Sequence, residues 1–204
     1  GGAGYIGSHT ALELLAQGYE VVILDSLVNS SYESIKRVEQ ISGKAITFYE
    51  GDIRDSKILA EIFTTHTIEC VVHFAGLKSV GESSKIPLEY YDVNVAGTVN
   101  LCKVMEKFSV YKLVFSSSAT VYGDAEIMPI SESHPTQKPT NPYGYSKFMV
   151  EEILQDMSKA NSKWSIALLR YFNPIGAHES GLIGEDPNDI PNNLVPYVAQ
   201  VAIG

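Results

Sequence analysis

The stretch GGAGYIGSH at residues 1–9 places Gly1, Gly4 and Gly7 three apart and runs directly into a helical apolar pattern through Leu12 and Leu15. Glycines at that spacing allow a tight turn, let backbone approach a pyrophosphate and let a helix pack closely on a strand. The helix N-terminus adds free amides and the positive end of its dipole. Glycine spacing alone is weak evidence. The run VVILD at 21–25 strengthens it by ending in Asp25, 18 residues after Gly7. A carboxylate at that point accepts hydrogen bonds from adenine-ribose hydroxyls and repels a 2′-phosphate, which favours NAD over NADP. The bland alternative is that Asp25 only caps a turn with Ser26 and Asn29.

The same rhythm continues along the chain. Short β-branched runs at 19–25, 45–52, 68–76, 111–118 and 164–172 alternate with helical patterns at 5–17, 32–42, 56–65, 87–108 and 142–160. Alternation of this kind predicts an α/β fold, a doubly wound, Rossmann-like parallel sheet covered by helices. No strand precedes the first helix and no initiator Met opens the chain, so the pattern is that of a fragment whose founding strand is missing. The expected division is an NAD-binding domain over 1–172 and the truncated beginning of a smaller substrate-binding region over 173–204. Two Pro-punctuated stretches, 119–141 and 173–193, read as functional loops. Ligands in such sheets lie at the carboxyl ends of strands, so Asp52 and Ile53, and Phe74, Ala75, Gly76 and Lys78, are candidates for the cofactor crevice. Asp52 could equally be a helix N-cap, and Lys78 a solvated surface charge.

Composition narrows the function. With 204 residues, 45% of them apolar and 19% charged, the chain can bury a full core. A formal charge of −9 argues against a nucleic-acid partner, whose affinity rests on Lys and Arg. No apolar run reaches the length of a membrane span. Cys70 and Cys102, without His or Cys at metal spacing, read as reduced packing residues of a cytoplasmic protein, with no metal site. No internal repeat or low-complexity segment is present.

A second motif carries chemistry. NPYGYSK at 141–147 sets Tyr143 and Lys147 four apart at a helix start, on one face. An ammonium buried there would lower the tyrosine pKa and make Tyr143 a general base, and the lysine could hold the nicotinamide-ribose hydroxyls. FSSSATVYG at 115–123 ends a strand in Ser116, Ser117 and Ser118, of which Ser118 is the choice for sharing a substrate proton with Tyr143. An isolated Tyr-x-x-x-Lys pair is usually structural, and serines at a strand end can merely satisfy backbone.

Taken in order, the glycine turn, Asp25, the strand-end Ser and Tyr-x-x-x-Lys resemble the extended short-chain dehydrogenases. Within them FAGLKSVGES, FSSSATVYGD, NPYGYSK, RYFNPIGAH and SGLIGEDP with IPNNLVPY are similar to the UDP-glucose 4-epimerases, over nearly the whole chain. The resemblance implies that Tyr143 removes the carbon-4 hydroxyl proton of a UDP-hexose while hydride passes to tightly bound NAD. The 4-keto sugar then takes the hydride back on its other face. It further implies pyrophosphate contacts from Tyr5 and Ile6, adenosine contacts from Asn29 and Ser30, and support of the active-site helix by Asn94. Phe172 would stack beside the nicotinamide, and Asn173, Asn193 and Leu194, with Lys78, would meet the nucleotide sugar. The family often shows two adjacent asparagines where this chain has Val93 before Asn94. A homodimer through the helices at 87–108 and 142–160 is also implied.

Other readings compete on chemistry. A nucleotide-sugar 4,6-dehydratase needs a further acid and base beside the strand-end hydroxyl, and Ala119, Thr120 and Val121 supply no carboxylate. A net dehydrogenase would use the same residues as the epimerase. An epimerase of N-acetylhexosamine or pentose nucleotides, or a non-catalytic NAD-sensing protein of the same fold, completes the set.

Overall fold

Helix starts follow local chemistry. Ser31, Asp55 and Asn141 each sit in extended backbone and accept a hydrogen bond from an amide of the following first turn, Glu33, Lys57 and Gly144 in turn. Pro142 occupies the first turn of the longest helix, where its missing N–H costs nothing. Gly43, with φ 66°, closes the second helix in the left-handed conformation that favours glycine.

The computed structural model describes residues 1–125, 127–186 and 193–203. Its chain forms two compact units, Gly1–Asp52 with Asn173–Gly204, and Ile53–Phe172. The first contains α1 (Tyr5–Ala16), β1 (Val22–Asp25), α2 (Tyr32–Ser42), β2 (Thr47–Glu50) and, late in the chain, α8 (Leu194–Ile203). Strands β1 and β2 are parallel, pairing Val22 with Thr47 and Asp25 with Glu50. Ala11, Leu12 and Leu15 of α1 and Ile35 and Val38 of α2 form a core with Ile23 and Ile46. Ile183 belongs to that core, and the Arg37 guanidinium donates to the Leu182 carbonyl at 2.9 Å.

The second unit carries α3 (Ser56–Thr65), β3 (Val71–His73), α4 (Val80–Ser83), α5 (Pro87–Tyr90), α6 (Gly97–Lys107), β4 (Lys112–Ser118), α7 (Pro142–Ala160) and β5 (Ser165–Tyr171). Its three strands run in the order β3-β4-β5, all parallel, with His73 opposite Phe115 and Ser118 opposite Tyr171. Leu113 and Phe115 of β4, Leu101 and Met105 of α6, and Val150 and Leu154 of α7 are buried. The parallel α/β architecture read from the alternation is therefore present, as one parallel ladder in each unit.

Three local expectations change. The pattern at 87–108 is not one α-helix: between α5 and α6 the backbone forms a π-helix, Tyr91–Ala96. That register change turns Asn94 inward, 2% exposed, as π-turns often do at functional sites. Gly97 follows because a Cβ there would lie 2.7 Å from Ile53. The loop at 119–141 opens with a 3₁₀ turn, Ala119–Tyr122. Cys70 is exposed rather than packed, since it precedes the first ladder residue of β3, whereas Cys102 is buried in α6. Among the described residues no helix is long and apolar enough to cross a membrane.

Truncating Ile183 to Ala should lower the stability of the full-length protein by about 2–4 kcal/mol in denaturant unfolding. A change below about 0.5 kcal/mol, typical of surface sites, would show that this side chain is not part of the core.

Candidate functional site

In the first unit the glycine turn divides its labour. A Cβ on Gly7 would lie 2.3 Å from the Gly1 carbonyl oxygen and 2.7 Å from the Gly2 Cα. Both are backbone atoms that cannot move aside, so packing demands glycine there. Gly2, outside the spacing read from the sequence, is required by Ile23, whose side chain would be 2.7 Å from a Cβ. Gly4 is different, because its nearest such neighbour is 3.8 Å away. It is the N-cap of α1, and no side chain caps that helix. The amides of Tyr5 and Ile6 thus stand at the positive end of the helix dipole, while the Tyr5 hydroxyl is engaged elsewhere, donating to the Gly176 carbonyl at 2.7 Å.

Asp25 ends β1 and is buried. Its Oδ1 accepts from the Leu27 amide (2.9 Å) and the Ser30 hydroxyl (2.8 Å), and its Oδ2 from the Ala3 amide (2.9 Å). Burial disfavours the charged carboxylate, and the hydrogen bonds from Leu27, Ala3 and Ser30 favour it. Oδ2 keeps capacity to accept a further donor. Leu27, at φ 57°, makes the tight turn that brings its amide back to the carboxylate. Asn29 is exposed beside it, and Asp52 is partly buried after β2. Asn173 and Phe172 are exposed. Asn193 donates to Glu185 Oε1 at 2.5 Å immediately before α8, whose first residue, Leu194, is exposed. Pro187 and Pro191, in the Pro-punctuated stretch 173–193, lie outside the described residues.

The second unit assembles the catalytic candidates. Ser118 is the last residue of β4, and Tyr143 and Lys147 stand one turn apart on α7. The Ser118 hydroxyl acts on the Tyr143 phenol and favours its ionised form. Lys147 is buried, donates from Nζ to the Ser116 carbonyl at 2.9 Å and lies 4.8 Å from the Phe115 ring centre. Burial lowers its pKa to about 8. The expected depression of Tyr143 is not what the structure shows: burial pushes its phenol up, and the Ser118 hydroxyl opposes that rise. Lys147 points its ammonium at a carbonyl and a ring face, so Ser118 is the group that favours the phenolate.

Asn94 joins this cluster to the loop after β3. Its Oδ1 accepts from the Leu77 amide (2.8 Å), and its Nδ2 donates to the Leu77 carbonyl (3.0 Å) and the Ser146 hydroxyl (2.9 Å). Ser146 in turn donates to the Tyr143 carbonyl at 2.7 Å. Gly76 has φ 152°, and a Cβ there would lie 2.9 Å from Asn94 Oδ1 and 3.7 Å from Lys147 Nζ. Phe74, Ala75 and Gly76 are partly buried, Ile53 is buried and Lys78 is exposed. Asn94 is therefore a clasp whose amide is filled by protein partners.

Several participants escaped the sequence reading. His73 is buried, and its Nε2 lies 2.9 Å from Thr98 Oγ1, whose hydrogen goes to the Asn94 carbonyl at 2.6 Å. His73 must therefore donate from Nε2. Burial first, and the Lys147 charge second, lower its pKa to about 3, so it is neutral. Glu151, one turn beyond Lys147, is fully buried and takes a bidentate grip from Arg170, with Nε at 3.0 Å from Oε1 and Nη2 at 2.7 Å from Oε2. Ser117 donates a short hydrogen bond to the same carboxylate. The four-residue spacing of Tyr143, Lys147 and Glu151 was visible, but a lone Glu on a helix signals solvent unless its strand partner is known.

Residues 1–202 match the NAD dependent epimerase/dehydratase family. The chain is 61% identical over all 204 residues to a UDP-glucose 4-epimerase of Bacillus subtilis and 63% identical to one of Haemophilus influenzae. It spans 60% of the length of both. A solved UDP-glucose 4-epimerase from Bifidobacterium longum, in complex with NAD+ and UDP, superposes with a TM-score of 0.97 at 55% identity, covering 100% of this chain and 61% of that one.

The buried ammonium makes a pH test possible. Below about pH 8 Lys147 is protonated in both folded and unfolded states, and its burial cost is fully present. Above that value the folded state releases the proton first, so stability gained from this group rises with pH. Against a Lys147→Met variant of the full-length protein, wild type should gain about 1.4 kcal/mol per pH unit between pH 8 and 10. A flat difference in denaturant unfolding would overturn the lowered value.

Proposed function

We propose, since this chain belongs to the NAD dependent epimerase/dehydratase family, that the protein containing it interconverts UDP-galactose and UDP-glucose at carbon 4 with a resident NAD. The observation that carries the reading is Tyr143 one helix turn from the buried Lys147, with the Ser118 hydroxyl acting on its phenol, in a chain about 60% identical to enzymes of that name. NAD fits the residues present. Gly4 leaves room at an uncapped helix start for a pyrophosphate, and Asp25 Oδ2 has capacity for a ribose hydroxyl. Lys147 has two further hydrogens beyond the one given to Ser116.

When bound, the nicotinamide supplies the hydride acceptor and returns the hydride. The chain's own residues handle the proton. Tyr143 Oη takes it from the carbon-4 hydroxyl and gives it back, Ser118 orients the phenol, and Lys147 holds ribose hydroxyls and keeps positive charge beside the site. Without a carboxylate beside Ser118 there is no acid and base pair for elimination, which favours epimerisation over dehydration. On this reading, residues 173–204 begin the substrate-binding region, with Asn173, Asn193, Leu194 and Lys78 toward the nucleotide sugar and Phe172 toward the nicotinamide. We also carry a cytoplasmic location and a homodimer as parts of the proposal. The dimer is supported by Leu88, 82% exposed on α5, and by the stacked rings of Tyr145 and Phe148 with Tyr91 edge-on to Tyr145.

Full-length protein given UDP-galactose and no added cofactor should form UDP-glucose, and Tyr143→Phe should lower kcat by about 10²- to 10⁴-fold. No conversion by intact, NAD-loaded protein would sink the reading. In sedimentation, Leu88→Glu should shift a dimer toward monomer, and an unaltered profile would remove this face from the interface.

A further inference from the structure

Ser118 has one hydroxyl hydrogen and two lone pairs. Thr120 takes both lone pairs. Its amide donates to Ser118 Oγ at 3.2 Å and its hydroxyl donates to the same oxygen at 3.0 Å. Only the Ser118 hydrogen is left to act outward, and Ser118 is the group that opposes the burial-driven rise of the Tyr143 phenol.

Thr120 has little freedom to do otherwise. It lies in the 3₁₀ turn Ala119–Tyr122, between the buried end of β4 and the buried Val121 and Tyr122. Its Cβ and Oγ1 both lie 3.1 Å from the point where a Cβ on Gly144 would stand. The threonine thus fits against bare backbone one residue after Tyr143, wedged between the two groups that share the proton.

We propose that Thr120 is a positioning residue that makes Ser118 a one-way hydrogen-bond donor to Tyr143 Oη, so that the serine stabilises the phenolate and not the phenol. A hydroxyl that donates favours the charged form of its partner, and one that accepts favours the neutral form. Removing the Thr120 hydroxyl returns a lone pair to Ser118, which can then accept the phenol's own hydrogen. Tyr143 becomes harder to deprotonate without any change in the residues that touch substrate.

This rests on reading Tyr143 as the base, and the test separates the two ideas. Full-length wild type, Thr120→Val and Thr120→Ser are compared in the pH dependence of kcat for UDP-galactose conversion. Valine keeps the shape and loses the donor; serine keeps the donor. In Thr120→Val the acid limb should move up by about 0.5 to 1 on the pH scale, with kcat near neutrality lower by about 3- to 10-fold and KM within about 2-fold of wild type. Thr120→Ser should restore the limb. Independently of turnover, ultraviolet titration of the Tyr143 phenol, isolated by subtracting a Tyr143→Phe variant, should show the same displacement. An unmoved titration in Thr120→Val, or a Thr120→Ser variant that behaves like valine, overturns the proposal. If wild type converts no UDP-sugar, the functional reading fails and the titration still decides the role of Thr120.

Discussion

One face of α7 carries three polar side chains in succession, the half-buried Tyr143 and the buried Lys147 and Glu151, each a turn from the last. None can lie against a sheet end without partners, because an unpaired buried charge costs several kcal/mol. The end of β4 provides for all of them: the Ser118 hydroxyl for Tyr143, the Ser116 carbonyl for Lys147 and the Ser117 hydroxyl for Glu151. A run of three serines lets the strand end offer both hydroxyls and a backbone carbonyl to one helix stripe. The register of β4 against α7 is thereby set, and with it the geometry of the candidate site.

The partners differ in what they do for chemistry. Glu151 is held by Arg170 through paired hydrogen bonds, and the guanidinium also lies 4.8 Å from the Tyr122 ring centre, so this charge is structural and settled. Hydrogen bonding to Glu151, with a smaller opposing effect of burial, drives the Arg170 pKa up and keeps it charged. Lys147 is held by one carbonyl and a ring face, and burial lowers its pKa. Lys147 therefore keeps donors to spare beside a carboxylate that is fully paired.

The π-turn at Tyr91–Ala96 extends the same constraint backward along the chain. By turning Asn94 inward it ties the Leu77 backbone to Ser146 and so to the first turn of α7. Gly76 is demanded at that point because the asparagine amide occupies the space of a side chain. Neutral His73, donating to Thr98, supports the π-turn from beneath. Loop, π-turn and the start of α7 are therefore one hydrogen-bonded assembly that reaches the Tyr143 backbone.

Sequence patterns alone determined most of the elements and pointed to the candidate reacting residues. Alternating strand and helix periods placed α2, α3 and α7 at their observed bounds, and the Gly7, Asp25, Ser118 and Tyr143–Lys147 signals rest on local spacing that one strand or one helix turn dictates. Tertiary structure decided the rest, because it depends on partners far apart in the chain. Glu151 became a buried anchor only once β5 brought Arg170 to it, 19 residues away, and Asn94 became a clasp only once a π-turn aimed it 17 residues back at Leu77. The direction of the Ser118 hydrogen, and a Tyr143 phenol raised by burial rather than lowered by its lysine, follow from where lone pairs and solvent lie in the folded chain, which no one-dimensional spacing encodes.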